Sequence, residues 1–194
     1  TDHSKLRFHP KKRRNDWAMV AVDKAPFFSI IISTRDRPEL FQIALRSVMM
    51  QTFAQKEIIV VIDGSTDANL ALYAELETQY QDVTFLNLIH RPNGHGQSYT
   101  MNFGAYYSSG RYLCFLDDDD RWIDETYLTH VFNCISASER PVDLHYSNQR
   151  AVDLNGVMQT QDMWLSDLIP KASNRIKNAE DSYFVDAQFL LSSG

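Results

Sequence analysis

The sequence predicts an α/β domain built on a mostly parallel central sheet flanked by helices. Two observations carry this. Residues 27–33, 58–62 and 112–116 are short, almost continuously apolar runs, the pattern of strands buried on both faces of a parallel sheet. Each ends in a polar turn, and segments with apolar residues at helical spacing lie between them, so strands and helices alternate along the chain.

Residues 27–33 (FFSIIIS) are the first strand, broken by Thr34-Arg35-Asp36-Arg37-Pro38. Asp36 followed by Glu39 reads as a capping box with Pro38 in the first turn. It opens a helix to about Met50 whose apolar stripe is Phe41, Leu45, Val48 and Met49. The second strand, 58–62, runs into Asp63-Gly64-Ser65-Thr66-Asp67. There Ser65 or Thr66 is expected to cap a helix carrying Leu70, Tyr73, Leu76 and Tyr80. Residues 83–89 are a third strand. Residues 91–98 form a loop by their Pro and Gly content and lead into a short helix through Met101, Asn102 and Tyr106. The backbone N–H groups at that helix start, with His95 beside them, suit a phosphate. After the strand at 112–116, residues 123–136 read as a helix. Residues 142–148 and 150–154 read as strand-like, and Asn155-Gly156 as a hairpin turn. Residues 159–180, with Trp164 and Pro170, read as polar, irregular and mobile, and 183–191 as a last apolar segment.

The 194 residues carry a net charge of −6, unevenly placed. The first 24 hold seven of the 19 basic residues and three of the 25 acidic ones, so the rest carries 12 basic and 22 acidic, a net of −10. A body that acidic argues against a nucleic-acid groove. Residues 1–26 are expected to be a basic arm or linker. Its segment 5–17, with Lys11-Lys12-Arg13-Arg14 between Phe8 and Trp17, suits either a neighbouring domain or an anionic membrane surface. Cys114 and Cys134 read as reduced packing residues. No apolar run approaches a membrane span and no signal-peptide pattern opens the chain, so the expected location is cytoplasmic, with peripheral contact at the inner face of the membrane.

The chemistry concentrates in Asp117-Asp118-Asp119-Asp120, at the C-terminal end of a predicted strand, where open α/β sheets bind ligands. Adjacent carboxylates raise one another's pKa, and a hard divalent cation such as Mg²⁺ or Mn²⁺ relieves the repulsion. A solvated acidic loop is the alternative.

Taken in order, FFSIIISTRDRPEL, QTF, IIVVIDGSTD, RPNGHGQSYTMNFG and GRYLCFLDDDDRW resemble the inverting family 2 glycosyltransferases of GT-A (Rossmann-like) fold, over residues 27–156. The resemblance implies a GT-A nucleotide-sugar-binding domain over 27–194, with the C-terminal part of the family's domain expected to continue past the end of this chain. It implies metal-assisted transfer from a nucleotide-diphosphate sugar, chiefly a UDP-sugar, to a glycan or lipid-linked acceptor. It also implies residue roles. Ser33, Thr34 and Arg35 stand against the nucleoside, Arg35 at a position often held by a base-stacking tyrosine. Asp63 bonds the base, Asp117 opens the metal motif, Asp118 faces the ribose and Asp119 binds Mn²⁺ or Mg²⁺. Ile62 replaces the first aspartate of the family's Asp-Asp-Gly-Ser turn, and Met101 stands where many relatives have a basic residue. The family's catalytic base belongs to an acidic motif after the segment matched by 185–194. Glu180-Asp181 precedes that segment, so the base is unassigned.

Two other readings stay open. One is a catalytically vestigial nucleotide-sugar-binding module. The other is a sugar-nucleotide nucleotidyltransferase, disfavoured because residues 33–38 lack the glycine-rich loop such enzymes use for a triphosphate.

Overall fold

The computed structural model describes residues 25–147, 149–153, 157–163, 176–177 and 183–184. The chain divides into two compact units, one ending at Glu125 and one beginning at Thr126.

The first unit contains the expected alternation: β1 (Phe28–Thr34), α1 (Pro38–Met49), β2 (Lys56–Ile62), α2 (Asp67–Gln79), β3 (Val83–Asn87), α3 (Gln97–Tyr107) and β4 (Tyr112–Asp117). The four strands form a parallel sheet in the order β3-β2-β1-β4. Because side chains alternate across a pleated strand, each strand supplies both layers. Ile31, Ile59 and Val61 pack with Met101, Phe103 and Ala105 of α3. Gly104 lets α3 come this close, since a Cβ there would lie 2.5 Å from Ile31 Cγ2. On the other face Phe41 of α1 meets Tyr73 of α2 and Phe85 of β3, with ring centroids 5.6 and 6.2 Å apart. β1 and β2 are buried nearly throughout.

β4 departs from the expectation of burial on both faces. It closes the sheet order on one side, and Leu113 and Phe115 are exposed while Leu116 is buried. Its apolar run signals a strand but not how many neighbours cover it.

The cap of the first helix also differs. Arg37, not Asp36, occupies the N-cap of α1, and no side chain caps it. Asp36 adopts φ +53°, a left-handed conformation that aspartate tolerates better than most residues. Its carboxylate turns to the start of α2, accepting from Thr66 N at 2.8 Å, Thr66 Oγ1 at 3.0 Å and Asn69 Nδ2 at 2.9 Å. The Asn69 amide and the Thr66 backbone N–H hold its pKa below the usual carboxylate value. A depressed folded pKa contributes stability above the unfolded value of about 3.9, lost as pH falls through the folded one. The Asp36→Asn variant is therefore expected to lose less melting temperature than the wild type as pH falls below about 4. Identical acid limbs in thermal melts would remove Asp36 from that role.

In the second unit, α4 spans Tyr127–Ser136, and β5 (Gln149–Val152) pairs antiparallel with β6 (Met158–Met163). Short strands β7 (Ile176–Lys177) and β8 (Tyr183–Phe184) pair likewise. Three expectations are corrected. The helix begins at Tyr127, leaving 123–126 outside it. Residues 142–147 are irregular rather than strand. Residues 159–163, within β6, and 176–177 are strand inside the stretch 159–180 read as irregular. The β5–β6 pair bears out the hairpin, although its turn residues 154–156 lie outside the described residues, as do Trp164, Pro170, Glu180, Asp181 and Asp186. No helix among the described residues is long and apolar enough to cross a membrane.

Candidate active site

Parallel pairing puts the C-terminal ends of β1, β2 and β4 side by side, with Ser33 level with both Val61 and Asp117. The loops leaving these ends enclose a cleft of about 330 Å³. Seven of the predicted residues line it: Ser33, Thr34, Arg35, Asp63, Asp117, Asp118 and Asp119. Arg37 and Gln97, not singled out in the sequence, complete the lining. His95 is held against Asp63.

Asp118 is the unusual group. It is 1% exposed, and the Thr34 side chain and the Arg35 backbone N–H stand within hydrogen-bonding reach of its carboxylate. Its charge is met by an ion pair with Arg37, Nη2 to Oδ1 at 2.5 Å. Arg37 reaches Asp119 as well, Nη1 donating to Oδ2 at 2.9 Å. Burial pushes the Asp118 carboxyl above its ordinary pKa, and the Thr34 side chain and then Arg37 pull it part of the way back. Asp120 is also raised, first by desolvation and then by Asp117 and Asp119. The like-charge effect read from the sequence is thus present but secondary to burial. Asp117 accepts from Gln97 Nε2 at 2.5 Å. Among the described residues no group of three His, Cys, Asp or Glu side chains is gathered as a metal cluster.

Asp63 organises the opposite wall. Its carboxylate accepts His95 N at 2.8 and 3.0 Å and Gly96 N at 3.1 Å, and lies 2.8 Å from His95 Nδ1. Burial raises its pKa, but these donors outweigh that and the net shift is downward. Arg35 donates Nη2 to the carbonyls of Arg91 and Pro92 at 3.0 and 2.8 Å. Gly94 fits between the two: a Cβ there would lie 2.4 Å from both Arg35 Nη1 and Asp63 Oδ2, at φ +68°. Loop 91–96 is therefore tied down by Arg35 and Asp63, two of the four residues that the resemblance assigns to the nucleoside.

The cleft floor is braced from below. Ser33 Oγ bonds Thr100 Oγ1 of α3 at 2.6 Å. The buried Tyr73 hydroxyl bonds Thr34 Oγ1 at 2.8 Å and accepts from Arg37 N at 3.3 Å. Sequence reading treated Tyr73 as a packing residue because its helical spacing explains it fully. Arg37 had no local signal: the sequence shows it only within the turn after β1, and pairing of β1 with β4 brings it to the carboxylates.

Among protein families, the model described as Glycosyl transferase family 2 matches residues 29–191. A GalNAc(5)-diNAcBac-PP-undecaprenol beta-1,3-glucosyltransferase of Campylobacter jejuni is 29% identical over 136 residues, covering 64% of this chain and 43% of that protein. A PGL/p-HBAD biosynthesis glycosyltransferase of Mycobacterium bovis is 32% identical over 124 residues, covering 64% of this chain and 47% of that one. The chain thus spans less than half the length of these curated relatives. Among solved structures, the mannosyltransferase PcManGT of Pyrobaculum calidifontis, in complex with GDP-Man and Mn²⁺, superposes with a TM-score of 0.51 at 18% identity, covering 59% of this chain and 33% of that one. At that identity the likeness shows the fold alone.

Proposed function

We propose a function from the premise that this chain belongs to glycosyl transferase family 2: it binds a nucleotide-diphosphate sugar, with UDP as the nucleotide, and transfers the sugar with inversion to a glycan or lipid-linked acceptor. The parallel sheet with helices on both faces is that of the GT-A fold. The assignment of residues 27–194 to one donor-binding domain and 1–26 to an arm, and of the whole to the cytoplasm and the inner face of its membrane, belongs to the same proposal.

The observation that carries it is Asp118. Taking a carboxylate out of water is costly even when it is paired with a cation and hydrogen-bonded, and Asp118 is 1% exposed. Desolvated carboxylates of this kind cluster at functional sites. Asp118 opens onto the cleft at the strand end where α/β proteins bind nucleotides.

The residues present fit a divalent cation. Mg²⁺ and Mn²⁺ accept hard oxygen ligands and take only one or two carboxylates when substrate phosphates complete the shell. Asp119, with Asp118 beside it, supplies that set, and a three-residue protein cluster is not required. Bound there, the cation would neutralise charge developing on the diphosphate as the glycosidic bond breaks. The chain's own residues do the rest. Ser33, Thr34 and Arg35 form the nucleoside wall, Asp63 positions loop 91–96 and offers a carboxylate to the base, and Gln97 fixes Asp117. No described residue is assigned as the base for the acceptor hydroxyl.

Two features favour the binding-module reading as the second one: Ile62 in place of an aspartate, and an Asp63 carboxylate already occupied by His95 and Gly96. Binding and turnover separate the readings. In calorimetry with Mn²⁺, UDP is expected to bind better than GDP or ADP. Asp63→Asn is expected to weaken UDP by tenfold or more, since a hydrogen bond to a charged group is worth about 1.5–3 kcal/mol. Equal binding of all three nucleotides overturns base reading at Asp63, and absence of binding overturns the proposal. Hydrolysis of a bound UDP-sugar favours the enzyme, and binding without hydrolysis the module.

A further inference from the structure

We propose that Arg37 is a built-in competitor of the divalent cation, occupying the Asp118–Asp119 pair until a nucleotide diphosphate draws it off. The inference rests on the metal reading above and adds a residue to it.

The geometry is that of a bridging cation. One guanidinium spans two carboxylates with different nitrogens, Nη2 at 2.5 Å from Asp118 Oδ1 and Nη1 at 2.9 Å from Asp119 Oδ2. Asp118 is 1% exposed, and Arg37 is the cation paired with it. A divalent ion entering between the two carboxylates must therefore displace the guanidinium.

The partners differ in freedom to move. Asp118 is fixed at the end of a strand paired with β1 and is closed off from solvent. The Arg37 backbone is held too, its N–H donating to the Tyr73 hydroxyl and its carbonyl accepting from Phe41 N at 3.0 Å. Its side chain, however, is 49% exposed. The element that yields is the long, half-exposed arginine side chain, pivoting on an anchored Cα. Guanidinium planes match phosphate oxygens bidentately. A diphosphate in the same cleft gives Arg37 a new partner at the moment the carboxylates gain theirs.

Competition for one site produces linkage. Arg37 lowers the affinity of the empty protein for the cation, and the diphosphate removes that penalty, so cation and nucleotide bind with positive coupling. Without Arg37 the coupling falls, because the penalty is gone from the start.

The test is a Mn²⁺ titration followed by electron paramagnetic resonance, with and without UDP, on the wild type, Arg37→Gln, Arg37→Lys and Asp119→Ala. Without nucleotide, Arg37→Gln is expected to bind Mn²⁺ about fivefold or more tighter than the wild type, the lower end of ordinary coupling strengths. UDP is expected to tighten Mn²⁺ binding more in the wild type than in Arg37→Gln. Arg37→Lys keeps the charge but has one nitrogen where two are needed, so it falls between them. It also carries the test should Arg37→Gln melt early. If both Arg37 variants bind Mn²⁺ like the wild type or more weakly while Asp119→Ala loses it, the competitor role is overturned and the metal reading stands. If Asp119→Ala binds Mn²⁺ as the wild type does, the metal reading fails and takes this inference with it.

Discussion

The Asp119→Ala variant is expected to lose metal-dependent nucleotide binding. Outer-shell partners of a metal ligand are worth about 10–100-fold in affinity, so a direct ligand is worth about 100-fold or more. The measurement is calorimetric titration of UDP in the presence and absence of Mn²⁺, and an unchanged Mn²⁺-dependent affinity overturns the assignment. Asp119 is 51% exposed, so its removal should barely move the melting temperature. Asp118→Asn has a different signature. Burial works against its ionised form, and a neutral amide relieves that cost. This variant is expected to lose binding yet melt higher than the wild type, the trade of stability for function found at strained sites. A raised folded carboxyl pKa also means that the cost is full at neutral pH and fades as pH falls through that value. The gain in melting temperature over the wild type should therefore shrink toward acid pH.

Phe41→Ala is the largest stability loss expected. Phe41 is fully buried and joins α1 to Tyr73 of α2 and Phe85 of β3. Phenylalanine-to-alanine changes in cores cost about 3–5 kcal/mol, against a total of about 5–15 kcal/mol for a typical domain. Urea unfolding measures it, and a loss below about 1 kcal/mol would mean that the two helix faces close over the gap. The effect reaches the cleft through Tyr73, whose hydroxyl holds Thr34 and the Arg37 backbone.

Local sequence signals located the strands and the cleft because both depend on runs. Ile30 to Ile32 and Ile58 to Ile62 are apolar without interruption and are buried, and a polar turn at each end marks where the sheet opens. What was not legible depends on contacts between distant residues. Asp36 looked like a cap because Glu39 follows at the right offset, yet its carboxylate goes to Thr66 and Asn69, thirty and more residues away. Arg37 looked like part of a turn, and only the register of β1 on β4 brings it to Asp118 and Asp119. Asp63 was read as facing the base, and the hydrogen bonds it makes to loop 91–96 have no sequence period to announce them. Exposure of Leu113 and Phe115 was hidden for a related reason: hydrophobic runs report strand identity, while coverage is set by the sheet's order.

The strand order also fixes a timetable. β1 finds β2 across 28 positions, Phe28 opposite Lys56, but it finds β4 across 84, Phe28 opposite Tyr112. Closing a chain segment three times longer costs about 1 kcal/mol more in loop entropy, and pairings between distant residues slow folding. The acidic strand is therefore expected to dock last of the four, an order that hydrogen-exchange labelling during refolding would check. On a ribosome, β1, β2 and β3 emerge before Asp117 to Asp120 do. The cleft that gathers these carboxylates is then expected to be completed by the docking of β4.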